Sequence, residues 1–269
     1  MTNKPFIPAW ASVPKAVVGM LHLEALPGSP RFCGKPDAVR DALLRDAEAL
    51  ASGGVHGFMM ENFGDTPFFP GRVPAYVVAH MTALAAEVRR RFDLPLGINV
   101  LRNDGISGLA IAHAVGALFI RVNVLSGARV ADQGVLEGIG HNLLRERMLL
   151  GASDVRIIAD VDVKHAAPLG MPRPLEHEVH DAVERGMADA VAVSGTGTGR
   201  PTSVEDVKRA KSAAGHAQVF IGSGVTPESL PELAPFADAF IVGTYFKVHG
   251  AHEGRIDAAR VREFMTRLR

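Results

Sequence analysis

The sequence has little of what marks secreted, membrane or nucleic-acid-binding proteins. Its 269 residues contain one cysteine, Cys33, so no internal disulfide can form, which is typical of a protein in a reducing cytoplasm. Lys and Arg together number 29, as do Asp and Glu, so the chain has no excess of positive charge. This balance argues against nucleic acid or an anionic membrane surface as the partner.

Long apolar runs are also missing. The longest run of low polarity, Gly108 to Ile120, contains His113 and stops before Arg121, whereas a helix that spans a bilayer needs about 20 apolar residues. The first residues lack the apolar stretch of a signal peptide. We therefore expect a soluble, cytoplasmic protein without a transmembrane segment, for which any membrane association is peripheral.

What the sequence does have is a regular alternation of short β-branched runs and longer amphipathic patterns. The predicted strands are 16–22, 55–60, 95–100, 118–124, 155–162, 188–194, 218–222 and 238–242. The predicted helices are 37–52, 74–91, 106–116, 139–150, 174–185, 203–214, 227–233 and 256–268. Eight βα units predict a parallel sheet closed into a (β/α)8 TIM barrel, an α/β fold. Residues 1–269 are predicted to form one barrel domain, with 1–15 as an N-terminal extension.

Polar residues collect where the predicted strands end. Because barrel active sites lie at the C-terminal ends of the strands, this asymmetry predicts a functional mouth there. The candidate catalytic residues are Asp160, Asp162, Lys164 and Glu61. The candidate substrate-binding residues are His22, Asn62, Asn99, Arg102, Arg121, Asn123 and Ser194. Spacing by two predicts that Arg121 and Asn123 share one face of their strand, and that the two aspartates share a face with Lys164.

Several of these residues also have a structural interpretation. Arg121 with Asp160 or Asp162 could instead form a buried ion pair, which is the less favoured interpretation. Asn99 and Asn123 are residues that satisfy backbone groups at a barrel rim. His22 fits a core histidine as well as a ligand contact, and Lys164 fits an exposed loop lysine.

Two strand ends near the C-terminus are punctuated by glycine. They read Val-Phe-Ile-Gly-Ser-Gly-Val (219–225) and Ala-Phe-Ile-Val-Gly-Thr (239–244). Backbone N–H groups freed at such turns bind anions, and many barrels hold phosphate in the loops after strands seven and eight. The predicted phosphate-binding residues are Gly222, Ser223, Gly224, Gly243 and Thr244. By contrast, Gly195 to Gly199 forms neither a Walker A loop nor a dinucleotide fingerprint, and it fits a substrate-covering loop better.

Lys164 leaves two chemistries open. It could transfer protons, or it could form a Schiff base in an aldolase-type lyase. Proton transfer is favoured at this stage, because an adjacent Asp162 would raise the pKa of the lysine. A divalent metal such as Mg²⁺ on Asp160, Asp162, Glu61 or His22 fits the preference of hard cations for carboxylates, but the sequence does not decide whether a metal or any other cofactor is bound.

Six long motifs stand out along the chain: Val-Gly-Met-Leu-His-Leu-Glu-Ala-Leu-Pro-Gly-Ser-Pro (18–30), Glu-Asn-Phe-Gly-Asp-Thr-Pro-Phe (61–68), Leu-Gly-Ile-Asn-Val-Leu-Arg-Asn-Asp (96–104), Phe-Ile-Arg-Val-Asn-Val (119–124), Ala-Asp-Val-Asp-Val-Lys-His (159–165) and Ile-Gly-Ser-Gly-Val-Thr (221–226). With these motifs the chain resembles the BtpA family, which includes the SgcQ-type proteins. The resemblance implies a barrel of the phosphate-binding, ribulose-phosphate-binding-like type. It also implies a link to photosystem I biogenesis in cyanobacteria and to sugar metabolism elsewhere. It supplies no agreed catalytic residues.

Two functions follow as hypotheses. The favoured one is an enzyme, an isomerase, epimerase or aldolase-type lyase, that acts on a phosphorylated sugar or a similar small metabolite by acid–base chemistry. The rival is a non-catalytic assembly factor that uses the barrel as a scaffold, since fold alone does not fix function. The expected partners are a phosphorylated small molecule and further copies of the chain in a homo-oligomer.

Overall fold

The protein is described from a computed structural model that covers residues 5–195, 197–250 and 254–268. Eight parallel strands close into a barrel, and the first strand pairs with the last. In chain order they are β1 (Ala16–His22), β2 (Gly57–Glu61), β3 (Leu96–Asn99), β4 (Phe119–Val122), β5 (Arg156–Val161), β6 (Ala190–Val193), β7 (Gln218–Ile221) and β8 (Ala239–Val242). The predicted barrel fold is thereby confirmed.

Helices follow the strands and pack around the barrel. They are α1 (Pro36–Gly53), α2 (Ala75–Arg91), α3 (Gly105–Val115), α4 (Gly140–Leu149), α5 (Leu175–His180), α6 (Val204–Ala213), α7 (Leu230–Leu233) and α8 (Ala258–Leu268). Side-chain caps fix two of the starts, because Asp104 accepts from Ser107 N and Ser203 accepts from Asp206 N. The structure differs from prediction after β7, where 227–233 shrinks to the single turn of α7. It also differs at 174–185, where a π-helical turn over Asp181–Arg185 continues α5.

The N-terminal segment closes the bottom of the barrel. Phe6 and Trp10 are buried, with the Phe6 ring 4.9 Å from that of Phe220 and the Trp10 ring 5.7 Å from that of Phe119. The indole N–H of Trp10 donates to the carbonyl of His56 at 2.8 Å. The described part of the predicted extension, residues 5–15, therefore packs as a plug against the N-terminal ends of the strands. With the bottom filled, the C-terminal ends form the opening to the barrel interior.

A small antiparallel sheet lies above that opening and was not predicted from the sequence. We call it the cap sheet; its strands are Ala128–Ala131 and Gly134–Glu137, which form a hairpin after β4, and Ala166–Pro168 after β5. Gly134 takes a φ of 100° at the hairpin turn, a conformation that glycine adopts without strain. The turn places Asp132 and Gln133 over the barrel mouth.

No helix in the described part of the chain has both the length and the apolar character needed to cross a bilayer.

Candidate functional site

The mouth is built from one layer of residues at the C-terminal strand ends. His22 is in register with Glu61, Glu61 with Asn99, and Asn99 with Arg121 across β1 to β4. Side chains at matching register positions of parallel strands point to the same side of the sheet, so this layer faces the barrel interior. These four residues therefore lie together at the mouth, where the sequence analysis placed them. Their chemical roles stay a prediction.

A cavity of about 660 Å³ opens above this layer, and we call it the mouth cavity. It is lined by loops that follow β2 to β6. Besides predicted site residues, its wall contains Asp132, Gln133, His165 and Arg200, which the prediction did not select. Asp132 and Gln133 were not predicted because they lie in the cap sheet, which was not predicted either. The turn sequence Asp-Gln-Gly, between two short segments of alternating polarity, was a signal for a hairpin.

Beside it lies a narrow recess of about 30 Å³, which we call the glycine recess. Its wall includes Gly222, Ser223, Gly224, Gly243 and Thr244, together with Thr198 and Gly199 from the loop after β6. Glu61, Arg121 and Lys164 line both the recess and the mouth cavity. These three side chains therefore lie at the junction of the two spaces.

Asp160 is held in a buried ion pair. Its Oδ1 accepts from Arg121 Nε at 2.8 Å, and its Oδ2 accepts from Asn123 Nδ2 at 2.5 Å. The side chains of Arg121 and Asp160 are only 3% and 1% exposed. Burial disfavours the charged guanidinium, but Asp160 outweighs burial and raises the pKa of Arg121 above its usual value. Since both carboxylate oxygens are engaged, Asp160 is placed to orient Arg121 rather than to accept a proton.

Glu61 has a different setting. Its Oε2 accepts from Asn99 Nδ2 at 2.5 Å, and its Oε1 lies 3.7 Å from His22 Nε2. The His22 ring stacks on Phe63 with 4.5 Å between ring centroids. Glu61 is thus oriented by neighbours on both sides, but its partners are an amide and a distant imidazole rather than a close cation.

Lys164 projects into the junction without a polar partner. Among the described residues its Nζ makes no hydrogen bond or ion pair, while its backbone carbonyl accepts from Arg102 Nη2 at 2.6 Å. Burial lowers the pKa of Lys164, and the Arg121 guanidinium lowers it further. Glu61 and Asp160 oppose this effect without cancelling it. The prediction of a simple exposed loop lysine does not fit this position.

Lys164→Met is expected to stabilise the fold at neutral pH by about 0.5–2 kcal/mol, because it removes an unpaired, desolvated amine. The pKa of Lys164 in the folded protein lies below its ordinary value of 10.5. At a pH between the folded-state pKa and 10.5, the unfolded chain therefore binds more protons than the folded protein does. The free energy of unfolding of the wild type therefore rises with pH in that window, and the advantage of the variant shrinks. Thermal unfolding at pH 7 and pH 10 measures this change. Lys35→Met, at an exposed lysine, serves as the control; a gain for Lys164→Met that is independent of pH would contradict the assignment.

Asp162 does not lie in the mouth, and the prediction of a face shared with Asp160 and Lys164 is wrong for this residue. β5 ends at Val161, and Asp162 takes a φ of 46°, which breaks the alternation of an extended strand. Its side chain is 71% exposed and lies 3.2 Å from Arg129 Nη1. Its backbone N–H donates to Glu178, so the residue belongs to the contact between the cap sheet and α5.

Three further predicted substrate contacts lie in different surroundings. Asn62 is turned into the loop after β3, where its Oδ1 accepts from Leu101 N at 2.7 Å, so it supports the loop and does not line the mouth cavity. Arg102 does line the cavity and is 4% exposed; its Nε has no partner among the described residues. Ser194 is 3.4 Å from Arg121 Nη2, at the edge of the ion pair.

The predicted phosphate residues meet in the glycine recess, but two of them also have structural tasks. Ser223 Oγ accepts from Gly195 N at 3.1 Å, which ties the loop after β7 to the loop after β6. Gly224 has a φ of 68°, and a Cβ there would lie 2.0 Å from the Arg200 carbonyl. Gly243 is less constrained, because a Cβ there would lie 3.1 Å from the His22 ring. Thr244 begins a 3-10 turn over Thr244–Phe246. Thr196, in the loop after β6, lies outside the described residues.

No group of three or more His, Cys, Asp and Glu side chains that could hold a metal ion occurs in the part of the chain that the structure describes. Asp162 points away from the mouth, and both oxygens of Asp160 are occupied by Arg121 and Asn123. The structure thus brings together no more than two of the four residues proposed for Mg²⁺, Glu61 and His22.

Comparison with known proteins matches residues 13–269 to a family model described as "BtpA family". An uncharacterised protein of Thermococcus kodakarensis is 47% identical over 93% of this chain and 94% of its own length. The photosystem I biogenesis protein BtpA of Synechocystis is 47% identical over 93% of this chain and 86% of its own length. Among solved structures, N-(5'-phosphoribosyl)anthranilate isomerase from Pyrococcus furiosus superposes with a TM-score of 0.57 at 12% identity, covering 94% of this chain and 98% of that one, which is a likeness of fold.

Proposed function

The chain belongs to the BtpA family, and from the geometry of its mouth we propose that it is an enzyme acting on a phosphorylated sugar or a similar small metabolite. The reaction proposed is acid–base chemistry of the isomerase, epimerase or aldolase-type lyase kind. The observation that carries the proposal is that Glu61 and Lys164 line both the mouth cavity and the glycine recess. A substrate whose phosphate lies in the recess would have its neighbouring carbon atoms beside these two groups.

The glycine recess supports the phosphate part of the proposal. The turns after β7 and β8 present their backbone to the recess, where N–H groups can bind an anion, and Arg121 and Lys164 supply positive charge at the same place. The N–H of Gly222 is already used, because it donates to the Val193 carbonyl at 2.8 Å. At about 30 Å³ the recess is too small for a phosphate group as it stands. We therefore expect Thr198 and Gly199, which line the recess from the loop after β6, to shift outward when a phosphate group binds.

The acid–base part rests on two groups of unequal character. Glu61 is a carboxylate oriented by Asn99 and His22, and it is available to accept a proton from a carbon next to a carbonyl. Burial lowers the pKa of Lys164, so this amine gives up its proton more readily than an exposed lysine does. Arg121, held by Asp160, is a fixed cation that would stabilise negative charge as it develops on a substrate oxygen.

A second function deserves a test because of one relative. The Synechocystis protein with 47% identity is named for photosystem I biogenesis, which favours an assembly role. A scaffold has no need for a free lysine at the junction of two cavities, and this is why we place the enzyme first. A homo-oligomer and a cytoplasmic location also stay predictions.

A thermal-shift screen separates the two functions. The purified protein is heated with inorganic phosphate, sugar phosphates and the corresponding unphosphorylated sugars, each with and without Mg²⁺. A ligand at about 100 times its Kd stabilises the folded state by about 2.7 kcal/mol, which is roughly 5–11 °C in Tm for a chain of this size. We expect shifts from phosphorylated compounds only. If none of them shifts Tm, the phosphate site is wrong and the scaffold is favoured.

Compounds that shift Tm are then incubated with the protein in D2O and followed by proton NMR. Acid–base catalysis next to a carbonyl predicts exchange of a substrate C–H for C–D, or conversion to a new compound. Lys164→Met and heat-treated protein are the controls, and both should leave the spectrum unchanged.

A further inference from the structure

The feature that carries a further inference is the isolation of the Lys164 amine. Lys164 is half-buried, and it lines both the mouth cavity and the glycine recess. A lysine drawn out of bulk water is normally held by a carboxylate. Here the neighbouring carboxylates have other partners: Glu61 accepts from Asn99, and Asp160 accepts from Arg121 and Asn123. No hydrogen bond or ion pair to Lys164 Nζ occurs within the ranges that the structure describes.

The argument against a nucleophilic lysine rested on Asp162, and the structure removes it. An aspartate beside the amine would stabilise the ammonium form and keep the nitrogen protonated. Asp162 instead turns outward to Arg129, with its side chain 71% exposed. The guanidinium of Arg121 lines the same two cavities as Lys164, so it acts together with burial to disfavour the ammonium form.

A desolvated amine next to a cation is the setting in which lysine becomes a nucleophile. Only the neutral amine has the lone pair that attacks carbon. Burial and the Arg121 guanidinium both lower the pKa of Lys164, which increases the neutral fraction at working pH. The backbone of the lysine is fixed as well, because Arg102 holds its carbonyl at 2.6 Å.

We propose that the substrate carries an aldehyde or ketone group and that Lys164 Nζ attacks its carbonyl carbon to form a Schiff base. This inference rests on the proposed function and narrows it to phosphorylated carbonyl compounds. The nitrogen lone pair forms the N–C bond, the carbonyl π electrons move to oxygen, and one proton passes from nitrogen to oxygen. This gives a carbinolamine.

Loss of water completes the step. The carbinolamine oxygen takes a second proton, the C–O bond breaks, and an iminium cation remains; overall, amine, carbonyl and one proton give iminium and water. Glu61, which lines the same junction, is placed to shuttle these protons. The iminium withdraws electrons from the neighbouring bond, so cleavage of C–C there gives a lyase reaction and loss of a proton there gives an isomerase reaction. No oxidant or reductant is needed.

The position of the amine also limits where the carbonyl sits. Lys164 lies between the glycine recess and the mouth cavity of about 660 Å³, which has room for the rest of a small metabolite. A carbonyl near the phosphate-bearing end of the substrate fits this arrangement. Glyceraldehyde 3-phosphate and dihydroxyacetone phosphate are therefore suitable probes.

Trapping with sodium borohydride tests the inference. Borohydride reduces an iminium to a stable secondary amine, which is located by intact mass and peptide mapping. The wild type is treated with each phosphorylated probe, with unphosphorylated glyceraldehyde or dihydroxyacetone, and without borohydride. We expect an adduct on Lys164 at least 10-fold faster than on the exposed Lys35 of the same molecules, and competition by inorganic phosphate.

Lys164→Arg is the matched variant, because it keeps a positive charge at the junction but has no attacking amine. It should retain the Tm shift with phosphorylated compounds and lose the adduct. Adduct formation on Lys164 no faster than on Lys35 would overturn the inference. If the wild type shows the Tm shift but no adduct, the Schiff base alone is wrong; if it shows neither, the proposed function falls with it.

Discussion

Gly243→Asp is expected to weaken the binding of a phosphorylated ligand at least tenfold relative to Gly243→Asn. Both side chains start from a Cβ that would lie 3.1 Å from the His22 ring, and they have nearly the same size, so they disturb the recess equally. They differ in charge. Two like charges about 4 Å apart repel by roughly 4 kcal/mol at an effective dielectric constant of 20, and a tenfold loss needs only about 1.4 kcal/mol. Titration calorimetry with a compound from the thermal-shift screen measures the difference.

The control for charge alone is Gly71→Asp. A Cβ at Gly71 has no heavy atom within 4 Å, and the residue lines neither cavity. This variant therefore adds the same charge to the protein without placing it in the glycine recess. Its affinity should match that of the wild type within about twofold. Equal affinities for Gly243→Asp and Gly243→Asn would mean that the phosphate does not lie in the glycine recess.

Arg121→Met is expected to cost about 3–5 kcal/mol of folding stability, because it leaves Asp160 buried without its cation. The Asp160 side chain is 1% exposed, so water cannot replace the lost partner. For a chain of this length the loss corresponds to a fall in Tm of roughly 6–20 °C. Thermal or urea-induced unfolding measures it.

A second substitution shows whether the charge is the cause. Arg121→Met with Asp160→Asn should recover most of the stability, since no unpaired charge remains. Arg209→Met is the surface counterpart: its bidentate pair with Glu176 is more than one-third exposed on both sides, so its loss should cost much less stability than the loss of Arg121. An Arg121→Met protein as stable as the Arg209→Met protein would contradict the account of this ion pair.

The barrel and the location of its mouth follow from the sequence because both rest on repetition. Eight βα units determine the closed parallel sheet, and the polar residues of each unit come at the same end of its strand. Register then brings His22, Glu61, Asn99 and Arg121 into one layer without any further assumption.

Detail that depends on single residues was not predictable in the same way. Spacing by two placed Asp162 in the mouth, but a left-handed backbone at that residue reverses its direction. Asn62 was predicted to contact the substrate because it follows a strand. Its side chain instead accepts a hydrogen bond from Leu101 N, a contact that depends on how the loop after β3 folds. The strands of the cap sheet have three or four residues each, which is too short for a clear alternation.

The plug at the bottom of the barrel was also not predicted from the sequence, because its residues belong to no regular pattern. Phe6 and Trp10 lie outside any regular strand or α-helix, so no periodicity marks them as buried. Their contacts with Phe119 and Phe220 join positions more than 100 residues apart in sequence. Such contacts follow from the closed barrel and cannot be read from the local pattern.

The central claim is that the glycine recess holds the phosphate of a substrate whose reacting carbon lies beside Lys164. A crystal structure of the protein with the phosphorylated compound that gives the largest Tm shift tests it most directly. The account predicts phosphate density against the backbone of Gly222 to Gly224 and Gly243, with Thr198 and Gly199 moved outward and a ligand carbon in contact with Lys164 Nζ. Phosphate density at any other place on the barrel, with the recess still closed, would contradict it.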